Sequence, residues 1–192
     1  EKVGKTGIVA VLKNGAGPTV LVRTDMDGLP MEEKTGLPYA SRARATSEGR
    51  DTFVTHSCGH DIHMSSWLGA ARTLVELKSQ WKGTLVFIGQ PAEEIVAGAK
   101  AMLDDGLFKR FPKPDYAFAL HSWPLAHGTI GFNDGPVSSN SDSLEITFKG
   151  RGGHGSAPDK TVDPIAIAAR FVVDVQTVVS REKDPKEFGV VT

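Results

Sequence analysis

Three short apolar runs set what this chain can become. Thr19 to Arg23, Thr84 to Ile88 and Tyr116 to Leu120 each read as a strand with little polar alternation. A strand that is apolar on both sides must be covered on both faces, which is the condition of a mainly parallel sheet flanked by helices. Each run also ends on residues capable of chemistry. The first delivers Asp25-Met26-Asp27-Gly28-Leu29-Pro30, the second Gly89-Gln90-Pro91-Ala92-Glu93-Glu94, and the third His121-Ser122-Trp123-Pro124. In open α/β sheets, binding sites gather at the carboxyl ends of the strands.

A fourth stretch adds ligand-type residues at higher density. His56-Ser57-Cys58-Gly59-His60-Asp61-Ile62-His63 holds three imidazoles, a thiol and a carboxylate within eight residues. Thiolate and neutral imidazole suit zinc and neighbouring transition metals, and Gly59 lets the backbone fold tightly enough for residues two apart to converge. Met64, Trp67, Leu68, Ala71, Leu74 and Val75 then recur at helical spacing, with Arg72 and Glu76 opposite, so the cluster sits at a helix entrance. Adjacent residues on a loop point in different directions, which suits Glu93 and Glu94 to split two tasks, one binding metal and the other moving a proton. Asp25 and Asp27 could bind a cation or orient a ligand histidine. On residues alone a second chemistry stays open, with Cys58 as a nucleophile activated by His56, His60 or His63. That reading leaves Glu93, Glu94 and His121 without a task.

Composition narrows the class. With 40% hydrophobic and 23% charged residues the chain has material for a real core, and a formal net charge of -1 with scattered Lys and Arg offers no footprint for nucleic acid or anionic membrane. A single cysteine excludes an intrachain disulfide framework and fits a reducing, cytoplasmic setting. No apolar run reaches transmembrane length. Glu1 in place of an initiator methionine, and a closing Phe188-Gly189-Val190-Val191-Thr192 that looks like a strand beginning, read as a piece of a longer chain.

The Gly, Pro, Ser and Asn of Gly135 to Ser143 mark a linker, so residues 1–138 are read as one unit and 139–192 as the start of another. Before it, Gly7 to Leu12 is a further strand, Thr35 to Thr52 an exposed loop flanking a substrate entrance, and Ala99 to Leu103 a short helix closed near Gly106; His127 is a surface residue. After it, Leu144 to Lys149 alternates like a half-exposed strand, and Asp163 with Pro164 starts a helix whose apolar face holds Ile165, Ala169, Val172 and Val179. Gly150, Gly152 and Gly155 satisfy G-x-G-x-x-G. Ser156 to Val162 intervene before the helix, however, and the acidic residue expected further on, Asp174, falls inside it. A dinucleotide site needs the last glycine to open the helix. These glycines more simply let a loop present His154.

Together, Arg23-Thr-Asp-Met-Asp-Gly-Leu-Pro30, His56-Ser-Cys-Gly-His-Asp-Ile-His63, Gly89-Gln-Pro-Ala-Glu-Glu94, Leu120-His121 and Gly152-Gly-His-Gly-Ser-Ala-Pro158 resemble the metal-dependent amidohydrolases of the aminoacylase-like metallopeptidase family. The branch is that of hippurate hydrolases, N-acyl-amino-acid amidohydrolases and auxin-conjugate hydrolases. The resemblance implies an α/β metallopeptidase-type catalytic domain, with a mainly parallel sheet flanked by helices, carrying an inserted smaller α+β lid through which subunits dimerise. It implies two divalent cations, zinc, manganese, cobalt or nickel, on Cys58, His60, Glu94 and His121, with Glu93 as general base. It further implies Asp27 as an orienting residue and His154 as a group for the substrate carbonyl or the oxyanion, across the dimer at the partner's site. The small-molecule substrate would be an N-acyl amino acid. The family draws a last histidine ligand from beyond the lid, which this chain does not contain, so a metal-binding fragment without activity is the non-enzymatic alternative.

Overall fold

The computed structural model describes residues 1–192. They form two compact units, Glu1–Pro124 and Leu125–Thr192.

In the first unit the chain runs β1 (Ile8–Asn14), β2 (Thr19–Asp25), β3 (Arg44–Ser47), β4 (Arg50–Phe53), α1 (His60–Glu76), β5 (Gly83–Gln90), α2 (Gly98–Asp104), α3 (Leu107–Arg110) and β6 (Tyr116–Ala119). The main sheet has the order β1-β5-β2-β6. Strand β2 is parallel to both neighbours and β1 is antiparallel to β5, so the unit is a mixed α/β fold on a mainly parallel sheet. Although a short turn links β1 to β2, β5 lies between them. The Asn14 side-chain amide donates to Lys78 O and Trp81 O, both at 2.6 Å, which ties the end of β1 to the segment leading into β5.

Period-two alternation assigns the two faces of the sheet. Val86 and Ile88 of β5 join Leu21, Val3, Met102 and Leu107 in the buried core on the α2–α3 side. Phe87 faces the other way and meets Trp67 of α1 edge-on at 5.4 Å, while the Trp67 indole N–H donates to Val22 O of β2. Burial runs along α1 through His60, His63, Met64, Trp67, Ala71 and Leu74. The helix therefore lies slightly rotated from its sequence pattern: Leu68 and Val75 face solvent, and the core stripe ends on two imidazoles. The edge strand β6 is exposed throughout.

The loop reading of Thr35 to Thr52 is corrected at its second half, where β3 and β4 form a hairpin. Its two turn residues, Glu48 and Gly49, have φ of 50° and 74°, the type I′ arrangement that matches strand twist. Glu-Gly is a weaker signal for that turn than Asn-Gly, which is why composition concealed it.

In the second unit α4 spans Pro164–Thr177 and continues into a π-helical turn at Val178–Glu182. The Asp163 carboxylate caps α4, accepting from Ile165 N at 2.9 Å and Ala166 N at 3.3 Å. Arg151 and Val162 exchange both backbone hydrogen bonds and close the glycine loop well before the helix starts. Leu144 to Lys149 and Phe188 to Thr192 are not strands, because neither has a pairing partner. The half-buried positions of α4 include Pro164, Ala168 and Val175, whereas Ile165, Ala169 and Val172 are exposed. No helix is long and apolar enough to cross a membrane.

Candidate metal centre

Because β2, β5 and β6 are parallel, their carboxyl ends share one edge of the sheet, and the amino end of α1 arrives there too. Gly59 makes that arrival possible. Its φ is 83°, and a Cβ there would stand 2.3 Å from Ser122 Oγ, so both the left-handed backbone and the close approach call for glycine.

His60 is at the middle of the site and has no exposed surface. Its Nδ1 donates to the Asp27 carbonyl oxygen at 2.8 Å, which leaves Nε2 as the lone-pair nitrogen. That Nε2 has no hydrogen-bond partner, and neither have the buried Glu94 Oε1 and Asp27 Oδ1. Three carboxylate oxygens, Asp25 Oδ2, Glu93 Oε2 and Glu94 Oε1, each lie 3.7 Å from His60 Nε2. This is too long for a hydrogen bond, and of the three carboxylates Glu93 and Glu94 group with His60 about one candidate position while Asp25 Oδ2 is taken by Arg23 Nη1 at 2.7 Å. Adjacent glutamates thus converge where their positions in sequence suggested divergence. The turn that does this puts Ala92 and Val96 at φ of 49° and 53°, a backbone conformation costly for residues with a Cβ.

Cys58 Sγ lies 3.5 Å from His121 Nε2. Two tetrahedral zinc ligands at bond lengths of ~2.3 Å for sulfur and ~2.0–2.1 Å for nitrogen would be about 3.5 Å apart. His121 Nδ1 donates to Ser122 O at 2.7 Å, so its Nε2 is free to act as a donor atom toward metal. Three groups with ligand atoms within 4.8 Å of one another could hold an ion: Cys58, His60 and His121; Asp25, His60 and His63; His60, Glu93 and Glu94. His60 belongs to all three.

Burial alone would raise the Asp25 carboxyl, but the hydrogen bond from His63 and the neighbouring Arg23, His60 and His63 outweigh it and hold the group below its ordinary value. The Cys58 thiol is pushed up, first by burial and then by the carboxylates of Glu94, Glu93 and Asp25. Asp27 Oδ2 accepts from the Glu94 backbone N–H at 3.0 Å, and its carbonyl oxygen also meets His56 Nδ1 at 3.1 Å.

The structure brings Asp27, Cys58, His60, Glu93, Glu94 and His121 together at the sheet edge, while His127 and His154 belong to the second unit. His154 is exposed, with Nδ1 accepting from Ser156 N at 3.2 Å. Asp25, read from the sequence as a residue that could bind a cation or orient a histidine, holds His63 Nδ1 at 2.7 Å, whereas sequence reasoning gave Arg23 and Ser122 no task at the centre. The signal for Asp25 was its place as the last residue of an apolar strand, whereas Ser122 carries none.

Residues 21–188 match the Peptidase family M20/M25/M40. Over the whole chain it is 43% identical to a hippurate hydrolase of Campylobacter jejuni, covering 48% of that protein. It is 45% identical to an N-acetyldiaminopimelate deacetylase of Lactococcus lactis, over 98% of this chain and 47% of the relative. The chain spans about half the length of the curated relatives it matches. A crystal structure of a candidate aminohydrolase from methicillin-resistant Staphylococcus aureus aligns with a TM-score of 0.66 and 33% identity, over 100% of this chain and 49% of that one. The Bacillus subtilis YXEP protein, described as a dinuclear metal-binding peptidase, aligns at 0.55 and 37% identity over 65% of this chain and 32% of its own. The five motifs, the parallel sheet and the cluster at its edge place this chain in the Peptidase family M20/M25/M40.

Proposed function

We propose that the protein is a metal-dependent amidohydrolase that cleaves the amide bond of N-acyl amino acids, hippurate-like substrates included. Cys58, His60, Glu94 and His121 hold two divalent cations, and Glu93 is the general base. The observation that carries this reading is the buried His60 Nε2, without a hydrogen-bond partner, 3.7 Å from Glu93 Oε2 and from the equally unpartnered Glu94 Oε1, an arrangement that a cation would complete. Thiolate, imidazole and carboxylate donors together accommodate zinc, manganese, cobalt or nickel. The names of the relatives, hydrolases and deacetylases of acylated amino acids, support the substrate class.

When bound, the cations would supply Lewis acidity and bring the pKa of a coordinated water down to about 7. The two glutamates divide the remaining work by depth. Glu94 is the more buried, has an orphaned oxygen and is held by its backbone bond to Asp27, which suits a ligand. The Glu93 side chain is 36% exposed and accessible to water, which suits it to take the proton of the attacking water and return it to the leaving nitrogen. In the second unit the backbone bond from Ser156 to Nδ1 of His154 puts the remaining proton on Nε2, a donor for the carbonyl oxygen and the oxyanion at a partner's site. Residues 139–192 are the beginning of the smaller domain through which subunits pair.

A thiol nucleophile is disfavoured at Cys58, because burial first, and then the neighbouring carboxylates, oppose the thiolate that such chemistry needs. The test is Glu93→Gln, assayed with N-benzoylglycine beside elemental analysis of bound metal. Turnover should fall roughly 10²–10⁴-fold with metal content unchanged. Near-normal turnover with metal retained would remove Glu93 from its role.

A further inference from the structure

His63 stands in the densest part of the site, yet both of its ring nitrogens are already engaged. Nε2 receives the backbone N–H of Ser122 at 2.8 Å. A backbone amide can only donate, so Nε2 carries no proton, and the ring proton resides on Nδ1. Nδ1 in turn donates to Asp25 Oδ1 at 2.7 Å. The other oxygen of Asp25 is held by Arg23 Nη1 at 2.7 Å, and Arg23 Nε donates to Gln90 Oε1 at 3.1 Å. His63 and Asp25 are 1% and 0% exposed, so water does not compete for these bonds. Ser122 Oγ lies 3.2 Å from the same Nε2 and 3.4 Å from Cys58 O, over the surface that Gly59 leaves bare.

We infer that His63 is a positioning residue: it braces the segment carrying His121 against the Cys58-Gly59-His60 turn and is neither a ligand nor a base. The brace runs from the end of β5 through Gln90, Arg23, Asp25 and His63 to the backbone of Ser122, and so it joins the ends of three strands to the first turn of α1. Its output is the placement of His121 Nε2 beside Cys58 Sγ. Without an acceptor at His63, the Ser122 N–H loses its partner and the residue before it loses its anchor. The inference rests on the metal-centre reading for its purpose, but the bonding state of His63 is observable without any metal.

The test is two-bond ¹H–¹⁵N correlation on the ¹⁵N-histidine-labelled protein, first metal-free and then with added zinc, together with cobalt(II) titration of His63→Gln and His63→Asn. Expected in the metal-free protein is an Nδ1-protonated His63 whose Nε2 is a hydrogen-bonded acceptor; zinc should shift His60 and His121 and leave the His63 tautomer unchanged. The Gln side chain can place an acceptor near the former Nε2, whereas Asn reaches only toward Asp25. Cobalt affinity should therefore stay within a few-fold in His63→Gln and fall about 10–100-fold in His63→Asn, with full stoichiometry and the thiolate-to-cobalt absorption band recovered at saturation. An Nε2-protonated His63 in the metal-free spectrum, zinc coordination at His63, or an equal loss of cobalt sites in both variants would overturn the inference. If zinc moved no histidine at all, the metal-centre reading would fall while the metal-free tautomer still decided for or against the brace.

Discussion

The two units of this chain make an instructive contrast. Glu1–Pro124 contains every buried residue, from Val3 to Leu107, including the polar Asp25, His60 and His63. Leu125–Thr192 contains none, and large apolar side chains such as Ile130, Phe132, Leu144 and Ile165 stand 77% or more exposed. Both units obey local rules equally well. Asp163 and Pro164 start α4 as competently as Gly59 starts α1, yet capping fixes where a helix begins and says nothing about what covers it. What the first unit adds is non-local: β2 and β5 pair in parallel, β1 folds back on β5, and helices close both faces. A site whose ligands come from three separated segments needs that kind of closure, since each ligand is only as fixed as the element that carries it.

The largest expected effect tests whether stability is divided in the same way. Met102→Ala removes a side chain 1% exposed against Val86 and Leu107, and should cost about 2–5 kcal/mol in denaturant unfolding. Ile165→Ala, on a residue 77% exposed, should change stability by no more than about 0.5 kcal/mol. Equal costs would abolish the contrast.

Next in size is the response to metal. Zinc at about 100 times its dissociation constant should stabilise the folded protein by about 2.7 kcal/mol, and chelation should reverse it. Hydrogen exchange locates the effect: protection should rise in β2, in β5 and around the first turn of α1, and remain unchanged in α4. A uniform rise across both units would mean that the ion does not bind at the sheet edge alone.

Legibility in the sequence followed the same division between local and non-local causes. Strands β2, β5 and β6, the start of α1 and the α4 cap could all be read, because apolar runs, glycine and Asp-Pro act over a few residues. Asp27, Glu93, Glu94 and His121 were legible as chemistry at strand ends, and Cys58 and His60 as chemistry at a helix entrance. The convergence of Glu93 with Glu94 was not, because it depends on two positive-φ residues, Ala92 and Val96, of types that do not advertise that conformation. Neither was the role of Ser122, which contributes a backbone N–H that any residue but proline could supply. Leu144 to Lys149 has the alternation of a strand but no neighbour to pair with, and pairing partners are not written into a strand's own sequence. The β3–β4 hairpin escaped for the opposite reason: its partner was present, and its turn was atypical.

The smallest effect concerns how the loop before that hairpin is held. Glu33 gathers it: its Oε2 accepts from Ser41 N at 2.7 Å and from Thr55 Oγ1 at 3.3 Å, and its Oε1 accepts from Thr35 Oγ1 at 2.7 Å. The Ser41 hydroxyl meanwhile donates to Val54 O at 2.7 Å. These bonds favour the ionised form, with the Ser41 backbone N–H foremost and the Thr35 hydroxyl next, and hold the Glu33 carboxyl below its ordinary value. A carboxyl whose pKa is lower in the folded than in the unfolded chain stabilises the fold fully above the ordinary carboxylate range, and that contribution disappears as pH falls through the lowered folded value. The Ser41 amide should therefore lose a few-fold in hydrogen-exchange protection on acidification, after correction for the intrinsic exchange rate. Glu33→Gln should show the reduced protection already at neutral pH and no acid step, while amides of β5 behave alike in both proteins. An acid step that survives in Glu33→Gln would assign the loop's anchoring to another group.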